Sequence, residues 1–389
     1  MKSTNKKLVI ALYSHPDYYP PTLNALEYLS EIYSEIVIVH RNITGFNWDY
    51  PVNVKLVSPK KIMNVRDVEK ANLFWKIIWF IKFTFIFWYQ IIKIKPSTIL
   101  IYDSMPILSY RLISSFIIKP ETLWYHNHDV VEDKYCRKWS LIWWAWKSEK
   151  WIFPKLNIFS LPSIERKKCF SFNLFNGKFF FLPNYPSRKI YTKFRKEKEM
   201  MRDDTIKILY QGSIGELHGL EEIISLLNIK VQGKSLKLIL KGFINDEYLI
   251  NLKELASQNG VEDKLIYIGP TGYNEVIKNA SECHIGIGIH KKNDIMNNTL
   301  GTASNKIYEY IALGMPVILY ENEHFKDILK DNEWAFFTDT SKKSLLESIT
   351  KIIDNYSFLS NKAVFDFNSK LCFESHFSEI ISYFRNQPR

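Results

Sequence analysis

Four short stretches hold the residues whose types and spacing suit chemistry. SNKIYEYIALGMPVILY (304–320) reads as a helix with Ser304 as N-cap, Asn305 and Lys306 in its first turn and Glu309 one turn further on. A cation is unexpected at the positive end of a helix dipole unless an anion binds there. First-turn amides and Lys306 can hold phosphate oxygens, and Glu309 can accept from ribose hydroxyls. The plainer alternative is a surface Lys306–Glu309 ion pair worth about 0.3 kcal/mol. ILYQGSIGELHGLEEIISLL (208–227) sets a strand, then Gly212, Gly215 and Gly219, then a second helix. It is neither a GxGxxG fingerprint nor a Walker loop, and alone it signals only a tight turn. Its His218 is either a cation when protonated or an exposed turn histidine. WYHNHDVVEDKY (124–135) ends an apolar run with His126, His128 and Asp129. His-x-His invites a metal, but no third ligand is spaced nearby, so no metal is expected. SHPDYYPPTLN (14–24) offers His15, Asp17 and Asn24 in a Pro-rich loop.

The elements that must position these residues alternate between strand and helix. KLVIALYS, EIVIVH, VNVKLV, STILIYD, ETLWYHNHD, NIFSLPS and KFFFLPN are apolar runs closing on polar residues, as buried parallel strands do. The pattern restarts with TIKILYQGS, LKLILKG, KLIYIGP, CHIGIGIH and PVILY. The chain has 389 residues, more than one ordinary core holds. The expected fold is α/β, with two Rossmann-like domains facing a cleft, since ligands collect beyond the strand ends of such sheets. The first domain is expected over 1–185, a polar linker over 186–204, the second domain over 205–370, and over 371–389 a C-terminal helix crossing back to the first. Gly314 and Pro316 are expected to stop the quoted helix, with Ile307, Tyr310 and Ile311 on its core face.

Charge separates the halves. Residues 1–185 hold 25 Lys+Arg against 14 Asp+Glu, a balance of +11, and residues 186–389 hold 27 of each. Ten of eleven tryptophans are also in the first half. LFWKIIWFIKFTFIFWYQIIKIK (73–95) is long enough to cross a bilayer, but Lys76 and Lys82 interrupt it. It reads as a helix buried in the fold or lying on lipid, and KWSLIWWAWKSEKWIF (138–153) has the same character. Peripheral contact with an anionic membrane through the N-terminal half is expected; the alternative is that these aromatics are core. No signature of nucleic-acid binding appears. Four scattered cysteines without CxxC spacing suit a reducing cytosol, and the apolar run in MKSTNKKLVIALYS is too short for a signal peptide. The expected location is cytoplasmic, at the inner face of the membrane.

GSIGELHGLEEII, followed about ninety residues later by SNKIYEYIALGMPVI, resembles the donor-binding half of GT-B glycosyltransferases, most of all family 4 and its group 1 relatives. LPNYPS (182–187) also recurs in such enzymes. The resemblance covers roughly residues 178–330 well and the first half in outline. It implies that Glu309 binds the nucleotide ribose, that Ser304, Asn305 and Lys306 lie beside the donor diphosphate, and that Gly212 and Ser213 run under the phosphates. It implies that His128 touches the donor sugar, with Asp129 orienting it or meeting the acceptor; the loop over 14–24 faces the same crevice and is expected to supply acceptor contacts through His15, Asp17 or Asn24. Two departures stand out. The Arg and Lys usual in the glycine turn are replaced by Ser213 and His218, leaving Lys306 and Lys241 to compensate more of the charge. The first of the family's paired glutamates falls on Gly301. The implied activity is retaining, metal-independent transfer of a sugar from a nucleotide-sugar donor to a glycan or lipid-linked acceptor in surface polysaccharide biosynthesis, with no cofactor. The alternatives are a GT-B nucleotide-sugar epimerase and a degenerate transferase acting as a membrane-binding module.

Overall fold

The structure is a computed structural model that describes residues 6–386 apart from 61, 133, 135, 197–203, 292 and 293. The chain divides into two compact units, one of residues 1–183 with 376–389 and one of residues 184–375.

The first unit is built on a seven-stranded sheet, all parallel. Its strands are β1 (Lys7–Leu12), β2 (Glu35–His40), β3 (Val54–Val57), β4 (Thr98–Tyr102), β5 (Thr122–His126), β6 (Ile158–Leu161) and β7 (Lys178–Phe181). They lie in the order β3-β2-β1-β4-β5-β6-β7. The central strands are covered on both faces, which is why they are continuous apolar runs. One layer holds Phe83, Phe87, Ile91 and Ile94 of helix Leu73–Ile94 with Ile107 and Tyr110 of helix Ser104–Ile113. Helix Phe373–Asn386 reaches the same unit through its later turns, where Phe377 and Phe384 flank Trp124 at ring separations of 6.4 and 5.9 Å.

The second unit has a six-stranded parallel sheet in the order β10-β9-β8-β11-β12-β13. These are β8 (Thr205–Gln211), β9 (Ser235–Lys241), β10 (Leu265–Tyr267), β11 (Ile285–Gly288), β12 (Val317–Tyr320) and β13 (Ala335–Thr338). The strands read from the sequence are present, and β13 adds an edge that the sequence reading does not single out. Each sheet reverses its strand order once, between β1 and β4 and between β8 and β11. At such switch points the loops part and leave a crevice beyond the carboxyl ends of the strands.

Two glycines set the geometry of the second unit. A Cβ on Gly286 of β11 would lie 2.2 Å from the Tyr310 ring, so a bare strand is what lets helix Asn305–Ala312 seat against it. Gly242 has φ +132, and a Cβ there would lie 1.9 Å from the Gly212 carbonyl oxygen. The turns after β8 and β9 are thus in backbone contact, tied by Gly212 N–H to Lys241 O at 2.9 Å.

The stretch expected as a linker is in part structural. Ile190 and Tyr191 are buried, and Ser187 donates to Glu374 at 2.8 Å, so the chain before 197 is packed into the second unit. The apolar positions in this polar stretch are too sparse to show as a pattern. Residues 197–203 of that stretch lie outside the described residues. The four cysteines are free thiols.

Candidate functional site

In the second unit the two motifs come together at the β8/β11 switch point. Helix Asn305–Ala312 begins at Ser304, exposes no core-face residue among Ile307, Tyr310 and Ile311, and is followed by Gly314 at φ +71. Lys306 does not pair with Glu309 on the surface. Its Nζ donates to Tyr210 Oη at 2.8 Å and lies 4.1 Å from the centre of that ring, beside the Gly212 turn. Tyr210 Oη is in turn 2.8 Å from His218 Nδ1, so Lys306, Tyr210 and His218 join the helix start to the glycine turn. Burial pushes the Lys306 ammonium down to about 7 against the opposing pull of Glu309. This is a cation short of counter-charge, the condition under which an anionic ligand gains most.

Ser304 occupies the N-cap position, but its hydroxyl makes no capping bond and is buried without a hydrogen-bond partner among the described residues. Lys241, at the end of β9 and in register with Gln211, is 1% exposed, and its Nζ also has no hydrogen-bond partner among the described residues. Gln211 Oε1 and His290 Nε2 share that condition near the same strand ends. Buried polar atoms are almost always hydrogen-bonded, so four unsatisfied ones at one sheet edge mark a place where a polar ligand is to be met. Asn305 and Ser213 lie at the rim, half-buried and exposed respectively.

Two expectations are corrected. His218 is neither a cation nor a free turn residue. Its Nδ1 accepts from the Gly215 amide at 3.1 Å, and burial, aided by Lys306, holds its pKa down near 3. It is a neutral brace for the turn. Glu309 is not poised on an open flank. It is buried, with Oε2 accepting from Gln211 Nε2 and Oε1 from Tyr273 Oη at 3.1 Å, and burial raises its pKa. Tyr191 is a third hydrogen-bond partner of this carboxylate, which has about four acceptor positions, so one stays open for a ribose hydroxyl. Tyr210, Gln211 and Tyr273 escaped the sequence reading; only the adjacency of YQ to the glycine turn pointed to the first two. At position 301 a Cβ would lie 2.6 Å from the Ile328 Cδ1 and 2.8 Å from His324 Nε2, so a side chain there would displace the ends of both.

In the first unit the candidates collect at the carboxyl ends of β1, β2, β4 and β5. His128 is buried, stacked on Tyr102 with ring centres 4.8 Å apart, and set 4.8 Å from Tyr19. The residue that orients it is Asp103, not Asp129. Asp103 Oδ1 accepts from the His128 amide at 2.7 Å and the Asp129 amide at 3.3 Å, and Oδ2 lies 3.4 Å from His128 Nδ1. Asp103 holds φ +61 and ψ 176, backbone space that is essentially glycine's. A strained residue kept for three interactions with one histidine segment is a sign of function. With Nδ1 on Asp103, the Nε2 of His128, buried and without a hydrogen-bond partner among the described residues, is the atom left to meet a ligand. Asp129 itself is exposed, and Arg166 Nη1 fixes the His128 carbonyl at 2.6 Å. His126, the other histidine of the pair, has its Nδ1 2.8 Å from Ser160 Oγ.

The loop after β1 is largely committed to internal hydrogen bonds. Asp17 accepts from the amides of Phe46 at 2.5 Å and Trp48 at 3.5 Å, and from the Tyr50 hydroxyl, so it anchors the 46–50 segment. His15 Nδ1 accepts from the Asp17 amide at 3.2 Å, its ring meets that of His40 at 4.7 Å, and burial lowers the pKa of both. Asn24 is buried within helix Pro20–Leu29.

Two parallel sheets, each with a polar cluster at its switch point, define a class: the chain has the GT-B fold. Residues 192–364, within the second unit, match the family described as glycosyl transferases group 1. No curated protein matches the sequence. Among solved structures the chain is similar to a sucrose-phosphate synthase from Thermosynechococcus elongatus, with TM-score 0.69, 11% identity and 98% of each chain covered. Anabaena HepE in complex with UDP and glucose gives TM-score 0.64 at 11% identity, covering 98% of this chain and 99% of that one. WaaG, a glycosyltransferase involved in lipopolysaccharide biosynthesis, gives 0.61 at 12%, covering 97% and 100%. At this identity the likeness establishes the fold.

Proposed function

We propose that the protein is a glycosyltransferase that takes a sugar from a nucleotide-sugar donor bound on the second unit. The acceptor is read as a glycan or lipid-linked saccharide of surface polysaccharide assembly at the inner face of the membrane. The observation that carries the reading is the set of buried, unsatisfied groups at the β8/β11 switch point, Lys241 Nζ and Ser304 Oγ foremost, beside the under-compensated ammonium of Lys306. The HepE structures with UDP and with UDP-glucose support a nucleotide-sugar as the ligand class.

In this reading the glycosidic bond to the diphosphate breaks with its electron pair going to the phosphate oxygen. Lys306, Lys241 and the first-turn amides of helix Asn305–Ala312 hold the charge that develops there. The acceptor hydroxyl bonds to the anomeric carbon and gives its proton to the departing diphosphate, with retention and without a metal. On the first unit, His128 is held by Asp103 with Nε2 toward sugar or acceptor hydroxyls.

The test is a thermal-shift panel of UDP-, GDP-, ADP- and dTDP-sugars, since a ligand of the folded state raises the melting temperature with its occupancy. One nucleotide should stabilise the protein, and Lys306→Ala and Glu309→Ala should abolish the shift. Shifts that survive both substitutions would sink the proposal. Incubation with donor alone distinguishes an epimerase, which would form an isomer without any acceptor.

A further inference from the structure

Helix Leu73–Ile94 is long and apolar enough to span a bilayer, yet its inner face is built into the first unit's core. Spanning would strip Phe83, Phe87 and Ile91 from the sheet. Its outer face is nonetheless apolar. Phe74, Ile77, Ile81, Phe85, Tyr89 and Ile92 recur every three or four residues, and Phe74, Ile81 and Phe85 are 65, 59 and 60% exposed. Burying one side of a helix in protein explains the inner stripe but not the outer one.

The same surface continues across two neighbouring helices. Phe80, Leu108 and Ala145 form a seam joining helix Leu73–Ile94, helix Ser104–Ile113 and helix Leu141–Ile152. Beyond the seam stand Trp139, 74% exposed, with Ile142 and Trp144, the Trp139 ring resting on Trp143 and Trp144 at 5.3 and 5.7 Å. Exposed aromatic and aliphatic side chains on two helices that share a buried seam mark something that covers them.

Charge selects what covers it. Helix Leu73–Ile94 contains no acidic residue, and the one in helix Leu141–Ile152, Glu149, is buried. The outward charges, Lys82, Lys93, Lys147 and Lys150, are all positive. Lys147 Nζ lies 4.9 Å over the Trp146 ring and Lys93 Nζ 5.9 Å over that of Tyr89, stems along apolar surface with the charge outward. A second copy packed about a two-fold axis would set these lysines against each other. An anionic bilayer surface matches both the rings and the lysines. Both outer helices are entered from the carboxyl edge of the sheet, the edge that carries His128.

We propose that the outer faces of helices Leu73–Ile94 and Leu141–Ile152, with Trp139, form a docking surface for an anionic membrane. The helices lie in the plane of the interface, the aromatic and Ile side chains enter the headgroup boundary, and the lysines meet lipid phosphates. The His128 edge is thereby held at the membrane surface, where a lipid-linked acceptor presents its sugar. This deepens the acceptor reading above, but its test needs no donor and no activity.

The full-length protein is floated with phosphatidylcholine vesicles with or without about 30% phosphatidylglycerol. It should rise with the anionic vesicles and be released by salt. Phe74→Glu/Phe85→Glu should weaken partition by at least about tenfold with the melting temperature unchanged. Should that variant melt early, Lys82→Gln/Lys147→Gln replaces it, with loss of the anionic preference expected. Protein that stays at the bottom of the gradient, variants that float like the parent, or a dimer in sedimentation equilibrium that Phe74→Glu/Phe85→Glu dissociates would each overturn the proposal.

Discussion

The depressed Lys306 ammonium makes donor binding depend on pH in a direction that follows from its surroundings. Burial holds the group at about 7, against an ordinary 10.5. A nucleotide-sugar diphosphate placed on Nζ favours the charged form and restores the higher value. Below pH 7 the lysine is already protonated in the free protein, so affinity is flat. Above it, binding must first recover the proton. Between pH 7 and 9 the protonated fraction falls from about one half to about 0.01, so affinity should drop about 50-fold, roughly 2.3 kcal/mol. At pH 8 each donor bound should take up about 0.9 proton. Isothermal titration in buffers of different ionisation enthalpy reads that uptake directly, using the donor with the largest thermal shift. A nucleotide-sugar is preferred to a free nucleoside diphosphate because its phosphates do not titrate near neutrality. His218, held near 3, stays neutral throughout and adds nothing. Glu309, whose pKa is raised, is controlled with Glu309→Gln. Lys306→Met should abolish the uptake. Heats and affinities that do not change with buffer or pH, or proton uptake that persists in Lys306→Met, would refute the reasoning.

Three further outcomes are expected. Asp103→Ala removes the acceptor for two amides and for His128 Nδ1, so kcat should fall about 100-fold while the donor-induced thermal shift, which belongs to the second unit, is kept; equal loss of both would make Asp103 merely structural. Burial raises the Glu149 carboxyl from 4.5 to about 8 against the opposing hydrogen bond that Tyr125 donates, so the folded state binds the extra proton. Stability should then fall as pH rises from 4.5 to 8, by up to about 1.4 kcal/mol per unit, and Glu149→Gln should flatten that slope in thermal melts. Gly242→Ala sets a Cβ 1.9 Å from Gly212 O, which should cost about 2 kcal/mol and weaken the donor shift, both read in one melting series with and without donor.

The fold was legible because the parallel strands are buried on both faces and so appear as uninterrupted apolar runs. β13, the four-residue edge strand Ala335–Thr338, is only half-buried over most of its length and left too weak a trace. The glycine turn and the Lys306 helix were each readable as local motifs. That they share one edge follows from sheet order, which no local pattern carries. Asp103 was invisible for a different reason. It looks like any polar residue closing a strand, and its role comes from a positive φ and from amides 25 and 26 residues away. Asp17 looked chemically available for the converse reason, since nothing in SHPDYYP announces that the 46–50 segment folds onto its carboxylate. The sequence also left open whether the aromatic stretches are core or surface, and the structure answers both ways. Phe83, Phe87 and Ile91 face in, and Phe74, Ile81 and Phe85 face out.

The central claim is that the carboxyl edge between β8 and β11 is a cradle for the diphosphate of a sugar donor. A crystal soaked with the nucleotide-sugar that gives the largest thermal shift tests it most directly. The account predicts phosphate oxygens within hydrogen-bond distance of Lys306 Nζ and Lys241 Nζ and the ribose against Glu309. A nucleotide bound elsewhere, with Lys306 still on Tyr210 and Lys241 still without a partner, would contradict it.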